Sequence, residues 1–178
     1  MSAPDHDAPV EVMWSGRFIE ARRRGRWEYV SRTRNIHAAA IVAVHEGRLI
    51  LVDQYRVPLG CRSLELPAGL VGDETAGETV EVAAARELEE ETGFRPAMID
   101  VIGRFHASPG MSSEGFTLLR ATGLTRVGAG GGVAGEDIAV HEVPLDEVPA
   151  YIDARREEGF AIYVKLLLFL AGRVLDGG

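Results

Sequence analysis

Apolar and polar residues alternate over several short segments of this chain, which is the pattern of half-buried β-strands. Two such segments, 10–18 and 27–34, stand on either side of the basic turn ARRRGR. The segments 37–44 and 48–54 predict a hairpin, because they meet at the turn His45-Glu46-Gly47. Three further strands are predicted later in the chain, over 99–106, 116–121 and 138–143.

Helical periodicity is strongest from Thr79 to Thr92, where one apolar stripe is formed by Val80, Ala83, Ala84 and Leu88. Gly93 is predicted to end this helix as its C-terminal cap. A second helix is predicted to open near Leu145 and Asp146. The segment 160–175 predicts a third helix, apolar on most sides and therefore buried against the core or another subunit.

Strands flanked by helices predict an α/β fold in which a mixed sheet is sandwiched between helices. No linker divides the chain, so a single domain is predicted over 10–178, after a flexible tail at 1–9. Within it, 10–34 is predicted to be an N-terminal antiparallel strand extension, and 55–67 a loop that leads into the helix at 79–92.

Four acidic residues occupy the last turns of the helix at 79–92, where a helix carries partial negative charge: Glu87, Glu89, Glu90 and Glu91. Glu87 and Glu91 project from the apolar stripe and Glu90 from its margin. Inward carboxylates are costly unless paired or metal-bound, and Arg86 cannot neutralise the group alone. Clustered carboxylates favour Mg²⁺ or Mn²⁺, while a solvated acidic face is the alternative.

Composition narrows the class of protein. The chain has 178 residues, of which 46% are hydrophobic, enough for one domain with a sizeable core. A net charge of −8 argues against a large nucleic-acid surface. Cys61 is the single cysteine, so no disulfide can form within the chain. The N-terminus lacks the pattern of a signal peptide, and the apolar segment 160–170 is too short to span a bilayer. We therefore expect a cytoplasmic protein without membrane or nucleic-acid partners, and interpret the single lysine, Lys165, as a matter of composition.

The segment 72–94 resembles the box of the Nudix family, G-x5-E-x7-R-E-U-x-E-E-x-G-U with U a bulky apolar residue. All fixed positions are filled, by Gly72, Glu78, Arg86, Glu87, Leu88, Glu90, Glu91, Gly93 and Phe94. The resemblance implies an α/β/α sandwich and hydrolysis of a nucleoside diphosphate linked to another moiety. It also implies two or three Mg²⁺ ions, with Mn²⁺ as an option, on Glu87, Glu90 and Glu91, and structural roles for Gly72, Glu78, Arg86 and Gly93.

The residues Gln54-Tyr55-Arg56 and 64–69 resemble the QYR…ELPAG pattern of the ADP-ribose pyrophosphatase branch of that family. By this resemblance Arg56 contacts a substrate phosphate, as a forked guanidinium can. It also makes the Ala68 carbonyl a metal ligand and puts Glu65 and Leu70 at the substrate. Glycine and proline around Ala68 would hold its carbonyl out of a regular ladder. A surface arginine and an ordinary turn are the alternatives.

Residues 108–114, SPGMSSE, resemble the SPGxSxE loop of the same branch. The resemblance makes Glu114 the general base or an additional metal ligand and puts Pro109 at the substrate, while Glu90 is a second catalytic candidate. The alternative is that Glu114 is a solvent-exposed loop residue. The glycine-rich segment 128–138 satisfies G-x-G-x-x-G but leads into a strand, so it predicts a flexible loop from which Glu136 reaches the site.

Trp27 has two interpretations. Core packing is the simpler one, and stacking on adenine is the other, because in the resembling enzymes the N-terminal region can come from the other subunit of a homodimer. His37, His106 and His141 are scattered over predicted strands, so structural roles are favoured for them.

The predicted reaction is metal-assisted hydrolysis of a pyrophosphate bond, with ADP-ribose giving AMP and ribose 5-phosphate. The small-molecule partner is then a nucleotide sugar. GDP-mannose or another nucleoside diphosphate sugar is the alternative substrate, and a non-catalytic nucleotide sensor is the alternative function.

Overall fold

The computed structural model describes residues 4–33, 36–71, 77–133 and 135–175. Within these ranges none of the helices has the length and apolar character needed to cross a membrane. The strands run in chain order as β1 Val10–Ser15, β2 Ile19–Arg24, β3 Trp27–Arg32, β4 His37–His45, β5 Arg48–Arg56, β6 Cys61–Glu65, β7 Ala68–Val71, β8 Phe94–Arg95, β9 Met98–His106, β10 Gly115–Thr122, β11 Thr125–Arg126, β12 Ala139–Pro144 and β13 Ala161–Ile162. The helices are α1 Val80–Thr92, α2 Val148–Glu157, a 3₁₀ helix Val164–Leu170 and α3 Ala171–Leu175.

The central sheet is mixed and has the order β13-β6-β5-β4-β10-β9, with β12 paired to β5 and β7 paired to β4. β4 is antiparallel to β5 and to β7 but parallel to β10. β1, β2 and β3 form a separate antiparallel sheet. These pairings confirm the predicted mixed sheet and the N-terminal antiparallel extension.

Side chains from alternate positions of the central strands point to opposite faces and fill two cores. Ile41 of β4 and Ile50 of β5 pack under α1, together with Leu88 of that helix. Leu49 and Leu51, the neighbours of Ile50, pack on the other face with α2 and the 3₁₀ helix. The fold is therefore the predicted α/β/α sandwich, with α1 on one face of the sheet.

The N-terminal region forms three strands rather than two, because the basic segment predicted as a turn is mostly strand β2. Its arginines are satisfied in an extended conformation. Arg22 pairs with Glu20, Arg23 with Glu11, and Arg24 donates to the Ala8 carbonyl. The turn itself is reduced to Gly25 and Arg26, and Gly25 has a positive φ of 56°.

The loop predicted over 55–67 is also partly strand, since β6 pairs with β5 and extends the sheet. β7 then continues along β4, so Ala68 starts a strand instead of belonging to the approach to a helix. Both strands are short, and β7 depends on β4, which is distant in the sequence, whereas β6 pairs with the preceding strand β5.

The single helix predicted over 160–175 is replaced by β13, the 3₁₀ helix and α3. β13 adds to the edge of β6, and the Tyr163 N–H donates to the Leu64 carbonyl. Only one side of the segment is buried, because Leu167 and Leu168 are 55% and 54% exposed. The helix predicted near Leu145 begins at Val148, with Pro149 in its first turn.

Candidate active site

The position of α1 fixes the direction of its acidic side chains. Its N-cap Thr79 accepts a hydrogen bond from the Val82 N–H, and its C-cap Gly93 has a φ of 73°. A side chain at this position would also meet the Gly128 carbonyl at 2.2 Å from its Cβ. Ala84 and Leu88 pack onto the sheet. Glu87 and Glu91 follow them by about one turn on the same face, so their side chains point toward β7.

Two carboxylates of α1 rest on the backbone of β7. Glu91 accepts a hydrogen bond from the Ala68 N–H at 3.1 Å. The Glu87 side chain lies so close to Gly69 that a Cβ built there would be 2.1 Å from its Cγ and 2.2 Å from its Cδ. Glycine at position 69 therefore makes the room in which Glu87 lies.

The Ala68 carbonyl points to the same side as these carboxylates. The Ile41 N–H donates to the Pro67 carbonyl at 2.9 Å, and Ala68 lies opposite Ala40 in the next step of the register. Hydrogen-bonded and non-hydrogen-bonded pairs alternate along antiparallel strands. The N–H and carbonyl of Ala68 consequently face away from β4 and toward α1, although Ala68 itself belongs to the strand.

Glu91 is the most buried acidic side chain of this group, with 8% of its surface exposed. Burial raises the pKa of its carboxyl to about 8. The Ala68 N–H and Arg56 act against this rise, while the charges of Glu87 and Glu136 add to it. A carboxylate in this place gains from an additional positive charge.

Arginines supply part of the positive charge that the acidic helix end requires. Arg86 contacts Glu87 at 3.0 Å, Glu90 at 3.3 Å and Glu78 at 3.6 Å. Glu89 points away and forms a two-bond pair with Arg95, with distances of 2.7 and 2.8 Å. Neither arginine contacts Glu91, the most buried member.

The glycine-rich loop completes the C-terminal end of α1. The N–H groups of Gly131 and Gly132 donate to the carbonyls of Glu91 and Glu90, at 2.7 and 3.0 Å. These bonds satisfy helix carbonyls that otherwise have no partner within the helix. The same loop brings Glu136 close enough to act on the pKa of Glu91, as the sequence led us to expect.

Arg56 and Glu65 form a fork on the neighbouring strands β5 and β6. The Arg56 Nε and one terminal nitrogen donate to the two Glu65 oxygens, both at 2.8 Å. The Glu65 side chain is 7% exposed, whereas that of Arg56 is 43% exposed. Glu65 thus fixes the guanidinium and leaves its other N–H groups open to a ligand. Leu70 lies half-buried on β7, opposite Ala38.

Glu114 lies next to the N-terminal sheet and is paired with Arg32 at 2.5 Å. Its loop is attached to β3, because Val30 exchanges backbone hydrogen bonds with Met111 and Ser113, of 2.9 and 3.0 Å. The charged residues that act most strongly on Glu91 are Glu87, Glu136 and Arg56 rather than Glu114.

A cavity of about 430 Å³ adjoins this loop. Its lining includes Trp27, Tyr29, Pro109 and Ser113. Trp27 is 52% exposed, so the core-packing interpretation is wrong. The cavity presents exposed aromatic side chains, and Ser113 of its lining directly precedes Glu114 in the sequence.

The oxygen atoms around β7 suit a hard divalent ion. Within the ranges that the structure describes, no three side chains of His, Cys, Asp or Glu are gathered into a metal site by themselves. Magnesium, however, usually takes one or two carboxylates, and substrate phosphates and water complete its coordination. Glu87, Glu91 and the Ala68 carbonyl fit that requirement.

Comparison with known proteins identifies the family. The model of the NUDIX domain matches residues 33–161. The chain belongs to the Nudix family. Its Nudix box is the segment at α1, and Gly72, the first fixed position, lies outside the described residues.

Individual relatives agree with this assignment. The methanol dehydrogenase activator of Bacillus methanolicus is 32% identical over 155 residues, 83% of this chain and 82% of that protein. An ADP-ribose pyrophosphatase of Mycobacterium tuberculosis is 44% identical over 92 residues, 51% of this chain but 44% of that protein. A solved structure of an ADP compounds hydrolase shares the fold, with a TM-score of 0.67, 24% identity and coverage of 96% and 94% of the two chains.

These matches confirm the resemblance to the ADP-ribose pyrophosphatase-like branch, and the protein is a Nudix hydrolase. From the sequence, Lys165 is interpreted only as a matter of composition, and its place in the structure is not predicted. It is buried near the Arg56–Glu65 pair. Its occurrence as a single lysine within an apolar segment was the available signal.

Gly69→Ala is expected to impair the Nudix site without unfolding the protein. The new methyl group would occupy the place of the Glu87 side chain, which must move away from Ala68. We expect kcat to fall at least tenfold and the Mg²⁺ concentration for half-maximal activity to rise, measured by a Mg²⁺ titration of turnover. Gly103→Ala is the matched control, since its methyl would meet only the Phe105 ring, at 3.3 Å. Equal Mg²⁺ dependence in both variants would contradict this role of Gly69.

Proposed function

We propose that this Nudix hydrolase cleaves the pyrophosphate bond of nucleoside diphosphate sugars with the help of a divalent metal, and that ADP-ribose, giving AMP and ribose 5-phosphate, is its preferred substrate. The observation that carries the proposal is the convergence of Glu87, Glu91 and the Ala68 carbonyl beside Arg56. The site combines oxygen ligands for a metal ion with a guanidinium group that can bind phosphate, and a charged diphosphate substrate requires both.

The residues that would hold two or three Mg²⁺ ions, or Mn²⁺, are Glu87, Glu91 and Ala68, with help from Glu90. When bound, such an ion withdraws charge from phosphate oxygens and makes water more acidic. The number and identity of the ions are part of the proposal. Support comes from the burial of Glu91 among like charges, because a cation would stabilise its ionised form.

The remaining steps belong to the side chains. Arg56, held by Glu65, binds a phosphate oxygen through its free N–H groups and aligns the diphosphate. Proton removal from the attacking water needs a carboxylate that touches it, and the candidates are Glu90 and Glu114. Glu136 is a further candidate, since it lies near Glu91.

Trp27 is proposed to stack on the base of the substrate, with Pro109 on the loop across the cavity. Such stacking contributes about 1–3 kcal/mol. Trp27→Ala is therefore expected to raise KM for ADP-ribose roughly tenfold while kcat changes little, and Trp27→Phe is expected to retain most of the affinity. Steady-state kinetics of the two variants decides. A KM that is unchanged in Trp27→Ala would remove Trp27 from the substrate site.

A homodimer is proposed to form through the N-terminal sheet. Apolar side chains stand exposed there, among them Val12 at 55%, Trp14 at 57% and Phe18 at 65%. Several large apolar side chains exposed within one small region of the chain are a reason to propose an interface there. The cytoplasmic location likewise stays a prediction.

Other substrates remain specific alternatives. GDP-mannose carries the same diphosphate, and only the contacts to base and sugar would separate it from ADP-ribose. NADH also contains AMP and a pyrophosphate, so it belongs among the compounds to be compared. A non-catalytic nucleotide sensor would bind such compounds without turnover.

The experiment that tests the proposal measures phosphate monoesters, released as inorganic phosphate by added phosphatase. ADP-ribose, GDP-mannose, UDP-glucose, NADH and 8-oxo-dGTP are each supplied with Mg²⁺. We expect the highest kcat/KM for ADP-ribose. Preference for another compound would change the proposed substrate but leave the proposed hydrolysis in place. No turnover of any compound with Mg²⁺ or Mn²⁺ would favour a non-catalytic nucleotide sensor.

A further inference from the structure

Lys165 is the single lysine of the chain and lies in the 3₁₀ helix Val164–Leu170. It is 9% exposed, which is unusual for a lysine. The neighbouring Leu167 and Leu168 of the same helix are more than half exposed. The helix therefore buries its charged side chain on the same side as Leu166 and Leu170 and leaves other leucines outward.

The ammonium group of Lys165 is held by aromatic groups. It donates a hydrogen bond to the Tyr163 hydroxyl, and its nitrogen lies 3.8 Å from the Tyr163 ring centroid and 4.1 Å from that of Phe116. In the described part of the chain no carboxylate forms an ion pair with it. Aromatic faces attract a desolvated cation, but they do not neutralise it as an anion would.

The charges around Lys165 belong to the two ion pairs of the site. Glu65 and Glu114 attract its ammonium and Arg56 repels it, while burial is the largest influence and lowers the pKa to about 8. Glu65 is bound to Arg56 and Glu114 to Arg32. Lys165 is thus influenced by two carboxylates that already have arginine partners.

We propose that Lys165 binds the diphosphate of the substrate together with Arg56, as an anion-binding residue supplied by the C-terminal 3₁₀ helix. The identity of the ligand rests on the proposed function. The reason is electrostatic: a buried ammonium whose nearby carboxylates are already paired gains most from an anion that arrives from solution. The open N–H groups of Arg56 provide the second contact to the same group.

A single lysine permits a direct observation of this contact. Protein labelled with ¹⁵N at the lysine Nζ has one such signal, that of Lys165. We expect the α,β-methylene analogue of ADP-ribose and methylenediphosphonate, each with Mg²⁺, to shift this signal, and adenosine to leave it in place. A signal that stays fixed at millimolar concentrations of both diphosphates, or that moves equally with adenosine, overturns the proposal.

The experiment separates this proposal from the proposed function, because neither analogue needs to be hydrolysed. A shift with methylenediphosphonate but not with the ADP-ribose analogue keeps the diphosphate contact of Lys165 and removes ADP-ribose as its source. Turnover of ADP-ribose by the same sample, together with a fixed signal, keeps the function and overturns the role of Lys165.

Substitution gives a second test. Lys165→Met keeps the length of the side chain and removes its charge, so KM for ADP-ribose should rise at least tenfold with a smaller change in kcat. Leu167→Met, on the exposed side of the same helix, should leave both constants within twofold. Equal KM values for the two variants would overturn the proposal.

Discussion

Replacing Glu91 with glutamine is expected to lower kcat for ADP-ribose at least a thousandfold and, at the same time, to stabilise the metal-free protein. The carboxylate is buried beside Glu87 and Glu136, and its pKa is raised to about 8. An amide keeps an oxygen for the Ala68 N–H but carries no charge, so it loses the metal contact and also the repulsion.

The stability effect depends on pH in a defined direction. The ordinary pKa of a glutamate carboxyl is 4.5, and the pKa of Glu91 in the folded protein is about 8. Between these values the unfolded chain has released the proton and the folded protein retains it, so stability falls as pH rises. One pKa unit corresponds to about 1.4 kcal/mol, so ionising Glu91 in the folded protein lowers the free energy of unfolding by roughly 5 kcal/mol in total. The amide must also be desolvated, so we expect a gain of about 2 kcal/mol at pH 8, and none below pH 4.5.

The measurement is thermal unfolding of wild type and Glu91→Gln in EDTA at pH 5 and pH 8. About 2 kcal/mol corresponds to a rise of roughly 4–8 °C for a chain of this size. Added Mg²⁺ should then stabilise the wild type and not the variant. Glu89→Gln is the matched control, because Glu89 points away and pairs with Arg95. Full turnover in Glu91→Gln would contradict its assignment as a metal ligand.

Arg56→Ala is expected to lower kcat/KM for ADP-ribose about a hundredfold or more and to destabilise the fold. The variant loses a forked phosphate contact, and it leaves the Glu65 carboxylate buried without its partner. Leaving a buried charged group unpaired costs about 1–3 kcal/mol or more. Kinetics and denaturant unfolding of the same sample measure the two losses.

The double variant Arg56→Ala with Glu65→Gln separates these losses. It should recover much of the stability, because residue 65 no longer carries an unpaired buried charge, but none of the activity. Arg48→Ala, at the opposite end of β5, is the control and should keep kcat/KM within twofold. Activity that returns along with stability would show that Arg56 acts only through folding.

The sequence predicted α1 well because its signals are local. The apolar stripe, the cap at Gly93 and the spacing of Glu87 and Glu91 all lie within one helix, and a helix fixes which side chains share a face. The direction in which Glu91 points followed from the same geometry. Its partner, the Ala68 N–H, was not predicted, although the resemblance placed the Ala68 carbonyl at the same site.

Features that depend on distant partners were missed or misread. β7 and β13 become strands only because β4 and β6 offer them an edge, and β2 is an arginine-rich strand because a carboxylate on its neighbour β1 accepts the charge. The inward position of Lys165 follows from the turn at Tyr163, where a backbone bond to Leu64 fixes the start of the 3₁₀ helix. Local propensity does not contain this information.

Whether the protein hydrolyses ADP-ribose with a divalent metal is decided by following AMP and ribose 5-phosphate during a Mg²⁺ titration of metal-stripped wild-type protein. Metal-dependent hydrolysis predicts no product in EDTA, equal amounts of the two products as Mg²⁺ is added, and saturation of the rate. Turnover that persists undiminished in EDTA, or no AMP at any concentration of Mg²⁺ or Mn²⁺, would contradict it.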